Sequence, residues 1–404
     1  MSTDDEDRER AQAAVAPSGA QPAEVPSGAQ PTEVPSGARS AEVPSRALVD
    51  QLFRRQYARL VARLTRVFGA ARLELAEDVV QEALVRALQT WPYEGQPADP
   101  EAWLVRVAKN LALDALRRHE LARRAETEIE QWAGLALSRD PALADIQADE
   151  LRDDALRMIF TACHPALPLE GRVVLTLKTS CGFGVDEIAR ALLAKETAIA
   201  QRLVRARQRL AVEEIAFDVP SPSELPARLD AVLEVIYLVF NEGHGATRGP
   251  ALVRPELVKD ALRLGELLLE RPELDLPRVH ALLALMYLQG ARLGARTGAE
   301  GELTPLAEQD RSRWNTEWIA RGLGHFEHSM AGNELSAFHV EAAIACVHAR
   351  ARSYAETDWE EILARYDLLV VLSDTPVVRL NRAVALSKVR GPAVGLAEVE
   401  RAGK

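Results

Sequence analysis

An all-α fold is predicted for this 404-residue chain on three observations. Alanine, leucine and arginine dominate, aromatic residues are only 5% of the total, and β-branched runs are scarce, which favours helix over strand. Apolar side chains recur at three- and four-residue spacing from about residue 47 onward. Proline, glycine and capping residues punctuate that pattern as helix ends require. The length suffices for two or three domains, each burying its own core. The expected order is a disordered tail (1–45), a helical domain (46–124), an acidic linker (125–150), a helix-turn-helix domain (151–214) and an α-helical, repeat-like C-terminal domain (215–404).

The tail repeats a nine-residue unit, Pro17 to Val25, Pro26 to Val34 and Pro35 to Val43, with too much Pro and Gly for helix or sheet. Next, Leu48, Leu52, Phe53, Tyr57, Leu60, Val61, Leu64 and Phe68 form an amphipathic helix that Gly69 ends. A second helix carries Ala76, Val79, Val80, Ala83, Leu84, Ala87 and Leu88 on one side. Glu77, Asp78, Gln81 and Glu82 read as its opposite, solvated face. Trp91 to Asp99 reads as loop from its two prolines and glycine. Asp99 caps a third helix with Pro100 at its first position, expected to run to about Arg118. There Arg106, Lys109, Asn110 and Arg117 share an exposed face, Leu104, Val107, Leu111 and Ala115 a buried one, and Trp103 lies just before the stripe. An aromatic beside basic and amide groups suits unstacked bases; a core tryptophan with surface arginines is the plain alternative. Seven acids against one arginine mark residues 125–150 as a linker.

Between Val185 and Leu210 two short helical patterns meet at a break near Leu193 to Lys195. The second holds Lys195, Arg202, Arg205, Arg207 and Arg209 against Glu196 alone, in a chain of net charge −11. A basic second helix in an acidic protein reads as a helix-turn-helix that meets DNA. The break lacks glycine, so the turn is expected without a residue tolerant of positive φ. Residues 211–404 hold 29 acids against 21 bases, so any nucleic-acid contact must be local. Farther on, Trp359, Ile362, Leu363, Tyr366 and Leu369 form one helix stripe, and Leu380, Ala383, Val384 and Leu386 the next, which Gly391-Pro392 breaks. Paired helices of this kind stack in units of ~34 residues.

The remaining residues exclude more than they suggest. Cys163, Cys181 and Cys346 form no C-x-x-C pair, so no disulfide framework or zinc ribbon is indicated. His325, His328, His339 and His348 are close in sequence, but no cysteine or acid cluster completes a ligand set, and no metal or other cofactor is expected. Gln309-Asp310-Arg311 beside Trp314 either lines a small-molecule pocket or, as expected, forms a buried polar network. No nucleophile–base pair, phosphate loop or catalytic carboxylate pair stands out, so the chain does not read as an enzyme. Its start is acidic, without the apolar core of a signal peptide, and no apolar run reaches the ~20 residues that span a bilayer. A cytoplasmic location and no membrane contact are expected.

Asp78-Val-Val-Gln-Glu-Ala-Leu84, then Ala102-Trp-Leu-Val-Arg-Val-Ala-Lys-Asn-Leu-Ala-Leu-Asp114, then a helix-turn-helix ending Arg202-Leu-Val-Arg-Ala-Arg207 together resemble a bacterial RNA polymerase sigma factor of the extracytoplasmic-function (ECF) group. The likeness covers about residues 47–212. It implies that Asp78, Gln81 and Glu82 dock on the clamp helices of the polymerase β′ subunit, with the β flap as a further core contact. It also implies that the domain of Trp103, Arg106, Lys109, Asn110 and Arg117 melts the −10 promoter element, residues matching Trp103 and Asn110 lying where a flipped base is captured. Thr197, Gln201, Arg202 and Arg205 would read the −35 element, and the acidic linker would occupy a polymerase channel. Phe240-Asn-Glu-Gly243, Glu308-Gln-Asp-Arg-Ser-Arg-Trp314, Ala342-Ala-Ile344, Thr357-Asp-Trp359 and Val377-Val-Arg-Leu-Asn-Arg-Ala-Val-Ala385 resemble the long, tetratricopeptide-like extension of one sigma-factor subgroup.

The function expected is promoter recognition and DNA melting for core RNA polymerase, with a regulatory protein partner for the extension. A stand-alone helix-turn-helix regulator with a helical sensing domain is the alternative, and it leaves Asp78, Gln81, Glu82 and Trp103 idle. A repeat scaffold with a decayed DNA-binding region is the third reading, and it predicts no promoter affinity.

Overall fold

The computed structural model describes residues 46–95, 97–123, 148–245, 253–298 and 302–402. The tail 1–45 and most of the acidic linker lie outside the described residues. Fifteen α-helices and no strand occur among the described ones, with one isolated bridge between Thr297 and Leu303. None of the helices described is long and apolar enough to cross a membrane.

Three helices come first: α1 (Arg46–Phe68), α2 (Leu73–Glu94) and α3 (Pro100–Arg123). Tyr57, Leu60, Val61, Leu64 and Phe68 of α1 are buried, as their spacing requires. Gly69 ends the helix at φ +82°, and its N–H donates to the Thr65 carbonyl at 2.8 Å. Ala76, Val79, Val80, Ala83 and Ala87 of α2 are buried, but Leu88 is 61% exposed. Contrary to the loop expected from Trp91, α2 continues through Pro92 to Glu94. A proline in the last turn forfeits one hydrogen bond near an end that Gly95 (φ +85°) closes on the Trp91 carbonyl. The Ala102 N–H donates to Asp99 Oδ1 at 2.9 Å, which caps α3. That helix runs five residues past Arg118, and Leu104, Val105, Ala108 and Ala112 form its buried line. Val107, Leu111 and Ala115 are only half-buried, so the stripe is turned from the one expected.

Four helices follow: α4 (Ala148–Ala162), α5 (Leu169–Thr179), α6 (Val185–Ala191) and α7 (Glu196–Val212). They pack on α1 through α4 and α5, and through α7 on the short turn Ala70–Arg72. Asp154, fully buried on α4, faces Arg63 and Arg66 of α1 at 3.6 Å each and Arg157 at 2.9 Å.

The remaining chain forms α8 (Leu225–His244), α9 (Pro255–Leu268), α10 (Pro277–Gly290), α11 (Thr316–Ser329), α12 (Ala337–Arg350), α13 (Trp359–Leu372), α14 (Pro376–Arg390) and α15 (Pro392–Ala402). Each packs on the next, and α10 touches α8, α9, α11 and α12. Ile362 and Leu369 of α13 are buried as expected. On α14 the buried residues are Val378, Ala383 and Ala385, while Leu380 and Val384 are about half exposed, a correction to the predicted stripe. A single apolar core runs from Tyr57 in α1 through Leu177 and Ile199 to Tyr287 in α10.

The C-terminal helices grip α4, α5 and α6 by main chain. Arg228 Nη2 donates to the Phe160 carbonyl, Arg254 Nη1 to that of Ala191 and Arg263 Nη2 to that of Ser180, each at 2.7 Å. Guanidinium-to-carbonyl bonds of this kind are stronger than neutral ones.

Candidate nucleic-acid and polymerase interface

The helix-turn-helix is built by Ile188, Ala189 and Ala191 of α6 against Ile199, Leu203, Ala206 and Leu210 of α7, all buried. The turn between them differs from expectation in how it forms. Leu193 itself takes φ +50°, a left-handed conformation that costs a non-glycine residue about 1–2 kcal/mol. Its side chain is 42% exposed, and it lines a shallow cleft with Asp186, Arg190, Lys195, Glu196 and Thr197.

Thr197, Gln201 and Arg205 stand exposed on α7, on the side away from its buried line. Among the described residues, Lys195 and Arg205 have no carboxylate partner, whereas Arg209 pairs with Glu213 at 3.1 Å. Arg202 is half-buried and paired with Glu170 at 3.0 Å. The positive charge offered to solvent is therefore smaller than the sequence count, and it sits at the start and middle of the helix.

Arg207 points the other way. Its Nη2 meets Glu77 Oε2 of α2 at 2.5 Å, and its Nη1 lies 3.7 Å from Glu74. Glu77, expected on a solvated face, is 2% exposed because α7 covers it. Tyr57 Oη donates to the same carboxylate at 3.3 Å, and Lys178, 7% exposed, sits 5.0 Å over the Tyr57 ring. Burial pushes the Glu77 carboxyl up, opposed by Arg207 and Lys178, and pushes the Lys178 ammonium down, opposed by Glu77. A second contact lies nearby. Arg54 Nη1 pairs with Glu187 at 3.1 Å, and its guanidinium covers the Phe183 ring at 4.6 Å. Gly182 (φ +74°) allows this approach: a Cβ there would lie 2.4 Å from the Arg54 carbonyl oxygen.

Beside this contact Asp78, Gln81 and Glu82 remain exposed on α2. Burial and neighbouring Glu74 push the Asp78 carboxyl up, and Arg207 and Lys178 pull it back. Glu82 pairs with Arg86 at 3.0 Å. On α3, Arg106, Asn110 and Arg117 are exposed and Lys109 is half-buried, with Arg117 lying 3.8 Å from Asp114. Trp103 is half-buried, its ring edge-on to Trp91 at 5.5 Å. The predicted residues thus fall into three patches, on α2, α3 and α7, rather than one site.

Sequence reasoning missed Tyr57, Trp91, Lys178 and Arg207 as parts of this arrangement. Two signals were present. Lys178 interrupts an otherwise apolar run in α5, and Arg207 lies four residues after Leu203, on the edge of the buried line.

An exposed, basic second helix on a helix-turn-helix defines a DNA-binding protein, here with a further helical module and a helical extension. Family models match the same parts of the chain: sigma-70 region 2 at residues 53–121, sigma-70 region 4 at 157–210, and a family of unknown function, DUF6596, at 228–330. The chain belongs to the sigma-70 family, with a C-terminal extension. It is 41% identical over 333 residues to the uncharacterized protein R00370 of Rhizobium meliloti, covering 82% of this chain and 78% of that one. Against the ECF RNA polymerase sigma factor SigJ of Mycobacterium tuberculosis it is 32% identical over 168 residues, 39% of this chain and half of the relative. The ECF sigma factor SigM of the same species is 30% identical over 165 residues, 40% of this chain and 74% of the relative. No solved structure matches. Membership of this family makes core RNA polymerase and promoter DNA the partners of the chain.

Proposed function

We propose that this sigma factor docks on the polymerase β′ clamp through Asp78, Gln81 and Glu82, reads the −35 element with Thr197, Gln201, Arg202 and Arg205, and helps melt the −10 element with Trp103, Arg106, Lys109, Asn110 and Arg117. The carrying observation is that the exposed polar groups of α7 and of α2 are left uncovered by the extension, while Lys195 and Arg205 make no ion pair among the described residues. Cations without internal partners are available to phosphates and base edges. The second module is the natural contact for the β flap, and the extension is a regulatory arm.

The arrangement of the two modules adds a requirement. Promoter elements named −35 and −10 are centred about 25 base pairs apart, roughly 85 Å at 3.4 Å per pair. Yet α7 lies in contact with residues 70–72 of the first module, and a helix of its 17 residues is only about 25 Å long. The form described here is a closed one, and the Arg207–Glu77 contact has to part before both elements are read together.

The test is transcription in vitro with purified core polymerase on the promoter upstream of the protein's own operon. Wild type is expected to yield a transcript, and the Asp78→Ala/Gln81→Ala double variant to lose it while keeping its fold by circular dichroism. DNA binding without polymerase, and no transcript, would overturn the proposal in favour of a stand-alone regulator.

A further inference from the structure

Three arginines of the extension make no ion pair among the described residues. Arg292 follows α10, Arg296 ends the short turn Leu293–Ala295, and Arg311 opens the turn Arg311–Arg313. Two of them lie against Trp314, which is 5% exposed: the Arg311 guanidinium is 4.5 Å from its ring centroid and that of Arg292 5.6 Å, while Arg296 stands close enough to Arg292 to lower its basicity. Arg292 Nε donates to Gln309 Oε1 at 3.2 Å, and Gln309 Nε2 in turn donates to the Thr304 carbonyl at 2.9 Å. Arg311 Nη1 donates to the carbonyls of His348 and Ala351, at 2.6 and 2.7 Å, at the end of α12. None of the three arginines makes an ion pair among the described residues.

Arg228 is likewise without an ion pair among the described residues, but several other half-buried arginines face carboxylates, as Arg54 faces Glu187, Arg207 faces Glu77, Arg254 faces Glu242 and Arg382 faces Asp367 and Glu398. Here, among the described residues, Glu356 alone acts on the cluster, and only on Arg311. Four polar atoms of the cluster are also buried without a hydrogen-bond partner: Arg296 Nε, Arg311 Nη2, Trp314 Nε1 and His348 Nδ1. Burial first, then the two neighbouring arginines, pushes Arg292 down to about 10. His348 is pushed down to about 4 by burial and by Arg292 and Arg311. Unmatched buried cations and donors are costly, and an anion at the site would satisfy both.

We propose that Arg292, Arg296 and Arg311, with Trp314 and His348, form a binding site for a small molecule bearing a phosphate group. Three guanidiniums match a dianion better than a single carboxylate, and their planar forks suit a tetrahedral oxyanion. Glu356 acts on Arg311 but on neither Arg292 nor Arg296. A bound phosphate would link the 292–314 segment to the end of α12, where Arg311 already holds two carbonyls. The site is separate from the promoter-reading residues and stands or falls independently of that reading.

The full chain would be titrated at low ionic strength with inorganic phosphate, adenosine monophosphate and succinate, by calorimetry and by thermal shift against chloride of equal ionic strength. The test variant is Arg296→Gln, whose guanidinium makes no hydrogen bond among the described residues, and Arg292→Lys is the second. Saturable binding of a phosphate compound, at least tenfold tighter than succinate and weakened at least tenfold in Arg296→Gln or Arg292→Lys, is the expected result. Binding of inorganic phosphate alone would mark free phosphate as the ligand; tighter binding of the nucleotide would mark an organic phosphate. The histidine signal of His348 should also move up by at least one pH unit when phosphate is bound, because a dianion opposes the arginines that hold it down. Absence of saturable binding to wild type, or equal binding by both variants, would overturn the proposal. So would succinate binding as tightly as phosphate.

Discussion

Replacing Glu77 by glutamine removes one charge from the contact between the two sigma modules and keeps its shape. Glu77 is 3% exposed in its side chain and Arg207 17%, so the pair is largely withdrawn from water. Breaking a fully buried pair by removing one partner costs roughly 3–5 kcal/mol. Arg207 retains some solvent, and Glu74 stays 3.7 Å away, which brings the expected loss to about 2–3 kcal/mol. That loss is a shift of roughly 30- to 150-fold in the equilibrium between closed and open forms. Hydrogen exchange of amides in residues 73–94 and 196–212 reports that equilibrium, and urea unfolding reports the global one. Glu77→Gln should speed exchange in both segments. Glu77→Gln/Arg207→Met should lose less than Glu77→Gln alone, because no unpaired buried arginine is left. Unchanged exchange and an unchanged urea midpoint would refute the argument that this pair holds the modules together. A lowered midpoint without local acceleration would show that the contact opens only on global unfolding.

Gly182→Ala places a Cβ 2.4 Å from the Arg54 carbonyl at a residue with φ +74°, so it should lower thermal stability and accelerate exchange at the same contact. Leu193→Gly should leave the melting temperature unchanged or raised, since relief of left-handed strain offsets the loss of a half-exposed side chain; Leu193→Val should lower stability by about 1 kcal/mol or more. Trp103→Ala should reduce open-complex formation on a duplex promoter by about 5- to 150-fold, the loss of one stacked base, and have little effect on a pre-melted template. The pH dependence follows from His244, pushed down to about 3, and from His325 and His348, pushed down to about 4, each chiefly by burial. The folded chain keeps these rings neutral, while the unfolded chain protonates them near pH 6.5. Their contribution is full above pH 6.5 and is lost as pH falls toward 4, about 1.4 kcal/mol per pH unit per proton. Chemical denaturation across that range should show the loss, and His244→Asn should reduce its slope by up to one proton.

Much of the fold was legible because local chemistry announced it. Asp99 with Pro100, Gly69 and Gly391-Pro392 mark helix ends by capping or by φ, and the apolar spacing of α1 and α13 is long enough to be unambiguous. Where a residue's state depends on something distant, the sequence was silent. Glu77 looks like any acid on a solvated face, and only the return of Arg207, 130 positions later, buries it. Leu193 gives no warning of a positive φ, because the helices on either side impose it. The exposed residues of α2, α3 and α7 were singled out through motif order, but the contact between α2 and α7 was not, since nothing local encodes how two modules meet. Gln309, Arg311 and Trp314 were visible as a polar cluster; that its cations make no ion pair among the described residues required knowing what surrounds them.

The grip of the extension on α4, α5 and α6 has an evolutionary side. Arg228, Arg254 and Arg263 fasten to the carbonyls of Phe160, Ala191 and Ser180, atoms that every amino acid possesses. Substitutions at those three anchor points leave the hydrogen-bond acceptors in place, provided the backbone keeps its course. Thr197, Gln201 and Arg205, on α7, take no part in these three bonds, so the exposed face of that helix can change in a lineage without altering the way its C-terminal arm is attached.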